Sequence, residues 1–189
     1  MSTDTTAPVR CFGTGDPLYE AYHDHEWGRP VRGDAALLER IVLEGAQSGL
    51  SWLTILRKRD GYRAAFAGFE PAAVAAYSDG DVERLMADPG IVRNRRKIES
   101  AITNARATVA LREAGGSLTE LFWSFAPEPR GTRLSTWEDV PAATPESIAL
   151  AKALKRAGFV FVGPTTMYAA MQACGLVDDH LADCVAVDA

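Results

Sequence analysis

This chain of 189 residues has few cysteines, no long apolar run and no excess of positive charge. Its three cysteines are too few and odd in number for a disulfide framework, which leaves metal binding, catalysis or core packing as their uses. No run approaches the ~18 apolar residues that span a bilayer, and the first ten residues lack the apolar segment of a secretion signal. We therefore expect a cytoplasmic protein without membrane contact, and we take it to be a monomer.

The charge balance gives no overall indication of a nucleic-acid partner. The chain has 20 Lys and Arg against 25 Asp and Glu, a formal net charge of −5. Basic residues are nevertheless clustered in residues 57–63 and 93–97, whereas residues 174–189 contain four Asp and no Lys or Arg. Any contact with phosphate must therefore come from local patches.

Helical signals recur along the chain. The clearest follows Thr144, which fits an N-cap, with Pro145 at the first helical position and Gly158 at the end. Asp16 and Ser51 fit N-caps in the same way. Helical patterns cover residues 18–28, 34–50, 51–69, 81–88, 95–116 and 143–158. The predicted fold class is all-α.

Two stretches lack a helical pattern. Residues 159–163, "FVFVG", are the best candidate for a strand, although an isolated strand cannot build a sheet. Residues 124–144 form the only long connection without a strong periodic pattern, and we interpret them as a loop.

The stretch "DPGIVRNRRKI", residues 88–98, is typical of a helix-hairpin-helix element. Pro89 ends one helix, Gly90 permits an unusual backbone conformation, Ile91 is an apolar plug, and a basic helix follows at once. Backbone N–H groups at such a helix N-terminus bind a DNA phosphate without reading the sequence. The alternative is a Pro-Gly turn that joins two helices with a solvated basic face.

His180 and Cys184 lie four residues apart, so a helix would place both side chains on one face. Cys11 and His23 lie near the other end of the chain, and a structural zinc ion takes four N or S ligands, commonly as two close pairs. The spacing alone leaves packed, non-ligating side chains as the alternative. His25 would point elsewhere on a helix and is left out. The third cysteine is expected to be a small buried apolar residue.

Four motifs together resemble the 3-methyladenine DNA glycosylase I family of base-excision repair. The similarity runs in order from about Arg10 to Cys184, nearly the whole chain. The motifs are "RCFGTGDPLYEAYHDHEWG", "LEGAQSGLSWLTILRKRDGYRAAF", "DPGIVRNRRKI" and "GFVFVGPTTMYAAMQACGLVDDHLADC". The resemblance implies an all-α helix-hairpin-helix DNA glycosylase fold, in which structural Zn²⁺ joins the N- and C-terminal segments through Cys11, His23, His180 and Cys184.

The same resemblance implies a domain organisation. Residues 1–9 would be a disordered tail, and residues 10–189 a single glycosylase unit. Within that unit, residues 10–30 and 160–189 would form a zinc-stapled lobe, and the chain between them a helix-hairpin-helix lobe.

The activity that the resemblance implies is hydrolysis of the N-glycosidic bond of 3-methyladenine in alkylated double-stranded DNA. The base would be flipped out of the duplex and released as free 3-methyladenine, leaving an abasic site. Glu44 would contact the methylated base, with Tyr19, Tyr22 and Trp52 as base-binding residues. The helical periodicity also indicates that Glu44 faces partly inward. For the aromatic residues the alternative is packing in the core. The sequence does not decide whether Trp27 belongs to the core or to the pocket.

The resemblance also implies the contacts with DNA. Gly49 and Leu50 would form a plug that fills the gap left by the flipped nucleotide, although Leu50 is equally compatible with the core. Phosphates would be bound by the side chains of Arg93 and Lys97 and by the backbone amides of Gly90 and Ile91. Bifunctional relatives have a Schiff-base lysine where this chain has an asparagine, so we predict no lyase activity.

One departure from the family pattern concerns the N-terminal segment. Family members usually have Trp two residues after the first zinc cysteine, whereas Phe12 and Gly13 follow Cys11 here. We expect the N-terminal lobe to pack differently. Two rival functions are a non-catalytic, zinc-stapled DNA-binding protein and a glycosylase for another lesion, which the fold alone would permit.

Overall fold

The computed structural model describes residues 9–186, and within this range the chain forms helices and loops but no strand. The predicted N-terminal tail lies outside the described residues except for Val9. The helices are α1 (Pro17–His25), α2 (Asp34–Gln47), α3 (Trp52–Ala65), α4 (Pro71–Ala75), α5 (Asp79–Ala87), α6 (Arg95–Glu113), α7 (Leu118–Trp123), α8 (Pro145–Arg156) and α9 (Pro164–Ala173). Short 3-10 turns occur at Ala67–Phe69 and Trp137–Asp139. None of these helices is both long and apolar enough for a membrane span.

The three N-caps expected from the sequence are present. The side chain of Asp16 accepts hydrogen bonds from two amides in the first turn of α1. Ser51 accepts one from Thr54 N–H at the start of α3, and Thr144 forms a capping box with Ser147 at the start of α8. Each such cap satisfies N–H groups that have no partner inside the helix, which is worth about 1 kcal/mol.

Helix α2 is the centre of the core. It packs against α3, α6, α7 and α9, and its side chains Leu37, Leu38 and Leu43 are fully buried. Burying each of these leucines stabilises the fold by roughly 1.5–3 kcal/mol. Cys174, just after α9, is also fully buried, as expected of a small apolar residue.

The prediction of a strand at residues 159–163 is wrong. The burial pattern does not alternate, because Phe159 and Val162 are buried while Val160 and Phe161 between them are exposed. The backbone of Val160 is bracketed by the side-chain amide of Asn104, which donates to its carbonyl (3.1 Å) and accepts from its N–H (2.8 Å). A side chain therefore satisfies the backbone groups that a neighbouring strand would have bonded. Phe161 has a positive φ of 57°, which ends any extended run.

Helices α5 and α6 are joined by residues 88–94, and this connection lies directly on α3. A Cβ atom on Gly61 would come within 2.4 Å of the carbonyl oxygen of Gly90, so the close approach requires glycine in α3. Lys58 Nζ donates to the carbonyl of Pro89 (2.7 Å), and the side chain of Asn94 caps α6 by accepting from an amide in its first turn. Together these contacts fix the connection on the body of the protein.

Candidate functional site

A pocket of about 150 Å³ opens between the segment that precedes α1, the helices α1, α2, α3 and α9, and the 3-10 turn at Trp137–Asp139. Its volume is comparable to that of an engineered cavity that binds benzene, so it is large enough for an aromatic ring. The lining residues are Phe12, Tyr19, Tyr22, Trp27, Glu44, Gln47, Trp52, Trp137, Ala169 and Gln172.

The structure brings together the three aromatic residues expected to bind a base. The rings of Tyr22 and Trp52 lie 5.4 Å apart between centroids, and those of Tyr19 and Tyr22 lie 6.5 Å apart. Burial raises the pKa of Tyr22 well above its usual range, and nearby Glu44 adds to the effect, so the phenol stays protonated. The indole N–H of Trp52 is buried and has no hydrogen-bonding partner among the described residues.

Glu44 projects from α2 into this aromatic pocket. The residue is only 7% exposed, and within residues 9–186 its carboxyl group forms no hydrogen bond or ion pair. Burial raises the pKa of Glu44 from 4.5 to about 8, while Arg40, one turn earlier on α2, opposes the rise. A buried carboxylate without a partner is unfavourable, and a cationic ligand would relieve that cost.

A charged cluster that sequence reasoning missed lies behind the pocket. The buried guanidinium of Arg40 donates to the carboxylate of Glu26 (3.1 Å), which also accepts from Arg59 (2.9 Å). The same guanidinium lies 5.8 Å from the ring centroid of Tyr22. Arg40 therefore supports one wall of the pocket and places a positive charge near Glu44.

A groove of about 330 Å³ continues from the pocket, sharing Glu44 with it. Gly49 and Leu50, the predicted plug, lie in this groove, and Leu50 is 41% exposed. That exposure is incompatible with the core-packing alternative for Leu50. Gly49 has φ of 79°, a conformation that glycine adopts without strain.

The residues expected to contact phosphate have different surroundings. Arg93 is exposed and makes no ion pair within residues 9–186. The ammonium group of Lys97 instead donates to the carbonyls of Ala46 and Ser48, both at 2.7 Å, at the end of α2. Gly90 and Ile91, the two residues expected to donate backbone N–H groups to phosphate, are less free than Arg93. The N–H of Gly90 donates to the carboxylate of Asp88 (2.7 Å), and the side chain of Ile91 is buried. Their contacts with DNA stay a prediction.

Four side chains from the two ends of the described chain form a group that could hold a metal ion. Their ligand atoms, from Cys11, His23, His180 and Cys184, all lie within 4.8 Å of one another. Cys184 Sγ is 3.2 Å from His23 Nε2 and 3.5 Å from His180 Nδ1, and Cys11 Sγ is 3.7 Å from the same His180 nitrogen. The predicted pairs therefore meet at one point.

The outer ring nitrogens of both histidines have their own partners. His23 Nδ1 lies 2.8 Å from the carboxylate of Asp24, and His180 Nε2 lies 3.4 Å from the carbonyl of Trp27. The guanidinium of Arg10 hydrogen-bonds Asp24 and lowers the pKa of that carboxyl to about 2. Such partners orient the imidazoles so that the remaining nitrogens face the centre of the cluster. Trp27 lies between this cluster and the pocket. It therefore belongs to both the core and the pocket, the two roles that the sequence left open.

Comparison with known proteins identifies the family. A model of the methyladenine glycosylase family matches residues 12–187. The chain belongs to this family. It is 51% identical over 170 residues to the DNA-3-methyladenine glycosylase 1 of Escherichia coli (strain K12), a match that covers 89% of this chain and 91% of that protein.

Solved structures agree with this assignment to the methyladenine glycosylase family. A crystal structure of 3-methyladenine DNA glycosylase I superposes with a TM-score of 0.90 at 50% identity, covering 94% of this chain and 98% of that one. A tyrosine-to-phenylalanine variant of 3-methyladenine DNA glycosylase I, in complex with 3-methyladenine, superposes with a TM-score of 0.87 at 39% identity, covering 93% and 95%. The resemblance to the family and the all-helical fold class are thereby confirmed.

Several pocket residues of this methyladenine glycosylase family member were not found from the sequence. Phe12, which the sequence analysis named only as a departure from the family pattern, packs edge-on against Trp27 with ring centroids 5.0 Å apart. Gln47, Ala169 and Gln172 line the pocket through their places on α2 and α9. Their residue types gave no signal, since nothing local distinguishes them from other residues on those helices.

Proposed function

We propose that the chain is a monofunctional DNA-3-methyladenine glycosylase. It hydrolyses the N-glycosidic bond of 3-methyladenine in alkylated double-stranded DNA, releases the free base and leaves an abasic site. The activity by which its relatives are named supports this substrate. One observation in the chain itself carries the proposal: the unpaired, buried carboxyl of Glu44 beside Tyr22 and Trp52.

Charge explains how such a pocket would select its base. A purine methylated at N3 and still attached to DNA is a cation, whereas adenine is neutral. Ionising the buried carboxyl of Glu44 is unfavourable in the free protein, and the cation offsets that cost by Coulomb attraction at low effective dielectric. Neutral adenine offers no such gain, so Glu44 would discriminate strongly between the two bases.

Access to the pocket requires that the nucleotide leave the duplex, since the pocket wall surrounds the base. The exposed Leu50 lies in the groove beside the pocket, where its side chain would fill the gap in the base stack. Arg93 and the amides of Gly90 and Ile91, in a helix-hairpin-helix arrangement of α5 and α6, would hold the DNA by its phosphates. The N–H of Gly90 would exchange its bond with Asp88 for a phosphate oxygen.

Hydrolysis follows from the charge of the leaving group. The bond between the sugar C1′ and the base nitrogen breaks, its electron pair neutralises the base, and the sugar becomes an oxocarbenium-like cation. Water then bonds to C1′ and loses a proton to solvent. Asn94 occupies the place of the Schiff-base lysine of bifunctional relatives and caps α6, so the chain has no amine there to cleave the strand.

We also propose that the Cys–His cluster binds zinc. Two thiolates and two imidazoles are a common zinc ligand set, and bonds of about 2.3 Å to S and 2.0–2.1 Å to N predict N···S separations of roughly 3.6 Å in a tetrahedron. The separations of 3.2, 3.5 and 3.7 Å fit that geometry. Four protein ligands leave no position for water, so the ion would stabilise the fold and take no part in the reaction.

The test is release of methylated bases from duplex DNA treated with a methylating agent, analysed by chromatography. The wild type should release 3-methyladenine, and Glu44→Gln should lose about 10²-fold or more in rate, since it removes a buried charge that pairs with a cation. Glu39→Gln is the matched control, because Glu39 lies on the same helix but pairs with Arg63 away from the pocket.

The same assay separates the two rival functions. A non-catalytic DNA-binding protein would bind the DNA and release no base, although such a protein has no use for the buried carboxyl of Glu44. A glycosylase for another lesion would release a different base from suitably damaged DNA and leave 3-methyladenine in place.

A further inference from the structure

Trp137 is the most exposed aromatic ring of the candidate pocket. It comes from the long connection between α7 and α8, and its ring centroid lies 6.3 Å from that of Phe12 and 6.2 Å from that of Trp27. Trp137 is 41% exposed, whereas Tyr22, at the back of the pocket, is 2% exposed. The mouth of the pocket therefore has a large aromatic surface that the protein itself leaves uncovered.

The orientation of this ring is fixed by two sets of hydrogen bonds. The indole N–H of Trp137 donates to the carbonyl of Cys11 at 2.7 Å. Trp137 also begins a 3-10 turn with a capping box, in which the carboxylate of Asp139 accepts from the hydroxyl of Thr136 at 2.9 Å. Because the N–H is already bonded, the ring can offer a ligand only its π surface and its carbon edge.

The connection that contains Trp137 is anchored to the C-terminal segment. Arg130 donates to Asp179 (2.7 Å), and Arg133 donates to Asp178 (3.0 Å) and to the carbonyl of Ala186 (2.8 Å). A backbone hydrogen bond also joins the amide of residue 182 to the carbonyl of residue 134 at 2.9 Å. The ring is thus held at the pocket before any ligand arrives, which lowers the entropic cost of binding.

We propose that Trp137 is a base-binding residue that covers the flipped base at the mouth of the pocket and favours a cationic base over a neutral one. This inference rests on the proposed function and adds a ring from a part of the chain to which nothing in the family resemblance assigned a role. Tryptophan has the strongest cation–π attraction of the aromatic side chains. Glu44 approaches the bound cation from inside the pocket, and Trp137 contacts it from the solvent side.

The alternative is that Trp137 only covers Phe12 and Cys11 and stabilises the N-terminal segment. The two interpretations differ in what they predict for ligands of different charge. A purely structural ring would affect all ligands through the fold, whereas a base-binding ring would affect a cation more than a neutral base of the same shape.

The experiment measures binding of two probes by equilibrium dialysis: the 3,9-dimethyladeninium cation, which mimics the base still bonded to sugar, and neutral 3-methyladenine. Trp137→Ala should raise the Kd of the cation by roughly 3- to 30-fold and that of the neutral base by less, from the usual range of cation–π contributions. Trp137→Phe keeps a ring and should fall in between. The rate of 3-methyladenine release from methylated duplex DNA below saturation should fall in the same order.

Trp123→Phe is the matched control. Its indole N–H also donates to a backbone carbonyl, that of Val31 (2.9 Å), but its ring packs under Arg32 away from the pocket. It should bind both probes as the wild type does. Thermal unfolding of every variant separates a structural effect from a binding effect.

Equal losses for the two probes, or none, in a Trp137→Ala protein that melts like the wild type would overturn the inference. An equal loss accompanied by a lowered melting temperature would do the same, in favour of the structural role. Failure of the proposed function gives a different pattern: the wild type would release no 3-methyladenine from DNA, while the charge-dependent binding through Trp137 would still be measurable.

Discussion

Replacing Glu44 by glutamine should raise the stability of the protein relative to the wild type as the pH rises from 5 to 7, while it abolishes most of the activity. Burial raises the pKa of this carboxyl from 4.5 in the unfolded chain to about 8 in the folded protein. Between these two pH values the folded protein holds the proton more tightly than the unfolded chain does. The stability of the wild type therefore falls as the pH rises through this window. Glutamine has a similar shape and does not titrate.

The magnitude follows from linkage. The penalty relative to a non-titrating side chain is about 1 kcal/mol at pH 5, where the unfolded carboxyl has begun to ionise, and about 3 kcal/mol at pH 7. The free energy of unfolding of Glu44→Gln relative to the wild type should thus rise by about 2 kcal/mol from pH 5 to pH 7. A difference due to the amide itself is the same at both pH values and does not affect this change. The gain at neutral pH is the stability that the native protein gives up to keep a carboxyl in its binding pocket.

The assay is urea denaturation of both proteins at pH 5 and pH 7, followed by circular dichroism. Glu39→Gln is measured beside them, since Glu39 lies on the same helix and its carboxylate is paired with Arg63. A difference between wild type and Glu44→Gln that is the same at both pH values would refute the reasoning, because it would mean that Glu44 titrates alike in the folded and unfolded states.

Three further predictions concern the metal, the pocket charge and the strand-cleaving step. Cys184→Ser should lose the bound metal, measured by mass spectrometry of the acid-released ion, and should melt at a lower temperature. The control Cys174→Ser should keep the metal. An unchanged melting transition for Cys184→Ser, together with no metal in the wild type, would count against the site. Arg40 lowers the pKa of Glu44, so Arg40→Met should raise it and move the rise of kcat/KM to higher pH; a profile that stays in place would exclude this coupling. Because Asn94 replaces the lysine of bifunctional relatives, borohydride should trap no covalent DNA adduct, and a trapped adduct would reveal another reactive amine.

The sequence predicted the features that depend on local patterns. Asp16, Ser51 and Thr144 were found as N-caps because a cap is determined by a few consecutive residues. The four residues of the Cys–His cluster were singled out by the i, i+4 spacing of His180 and Cys184 and by the scarcity of thiols and imidazoles in this chain. The helix expected to carry His180 and Cys184 is wrong, because both residues lie in the non-helical segment that follows α9. That their two halves meet came from the family resemblance, since nothing local joins segments so far apart.

The missed features depend on tertiary contacts. Trp137 lies in a connection without periodicity, and its ring is held at the pocket by bonds of that connection to the C-terminal segment and by its own bond to the carbonyl of Cys11. Arg40 has the pattern of a solvated helix residue, yet Glu26 comes from another segment to accept a hydrogen bond from its guanidinium, and Arg59 binds the same carboxylate. The strand expected at residues 159–163 failed for a related reason, because Asn104, distant in sequence, supplies the hydrogen bonds that a strand would have taken from a neighbour.

The Cys–His cluster and the candidate pocket are linked through neighbouring residues, although none of the four side chains of the cluster lines the pocket. His23 and Tyr22 are adjacent on α1, so the turn that orients one for the cluster orients the other for the pocket. Trp27 contacts the His180 ring on one side, with centroids 4.5 Å apart, and lines the pocket on the other. The carbonyl of Cys11 holds the indole of Trp137. A metal that joins the two ends of the described chain would thereby also influence the positions of the aromatic rings that line the pocket. It would act together with Phe12, whose ring contacts those of Tyr19, Tyr22, Trp27 and Trp137.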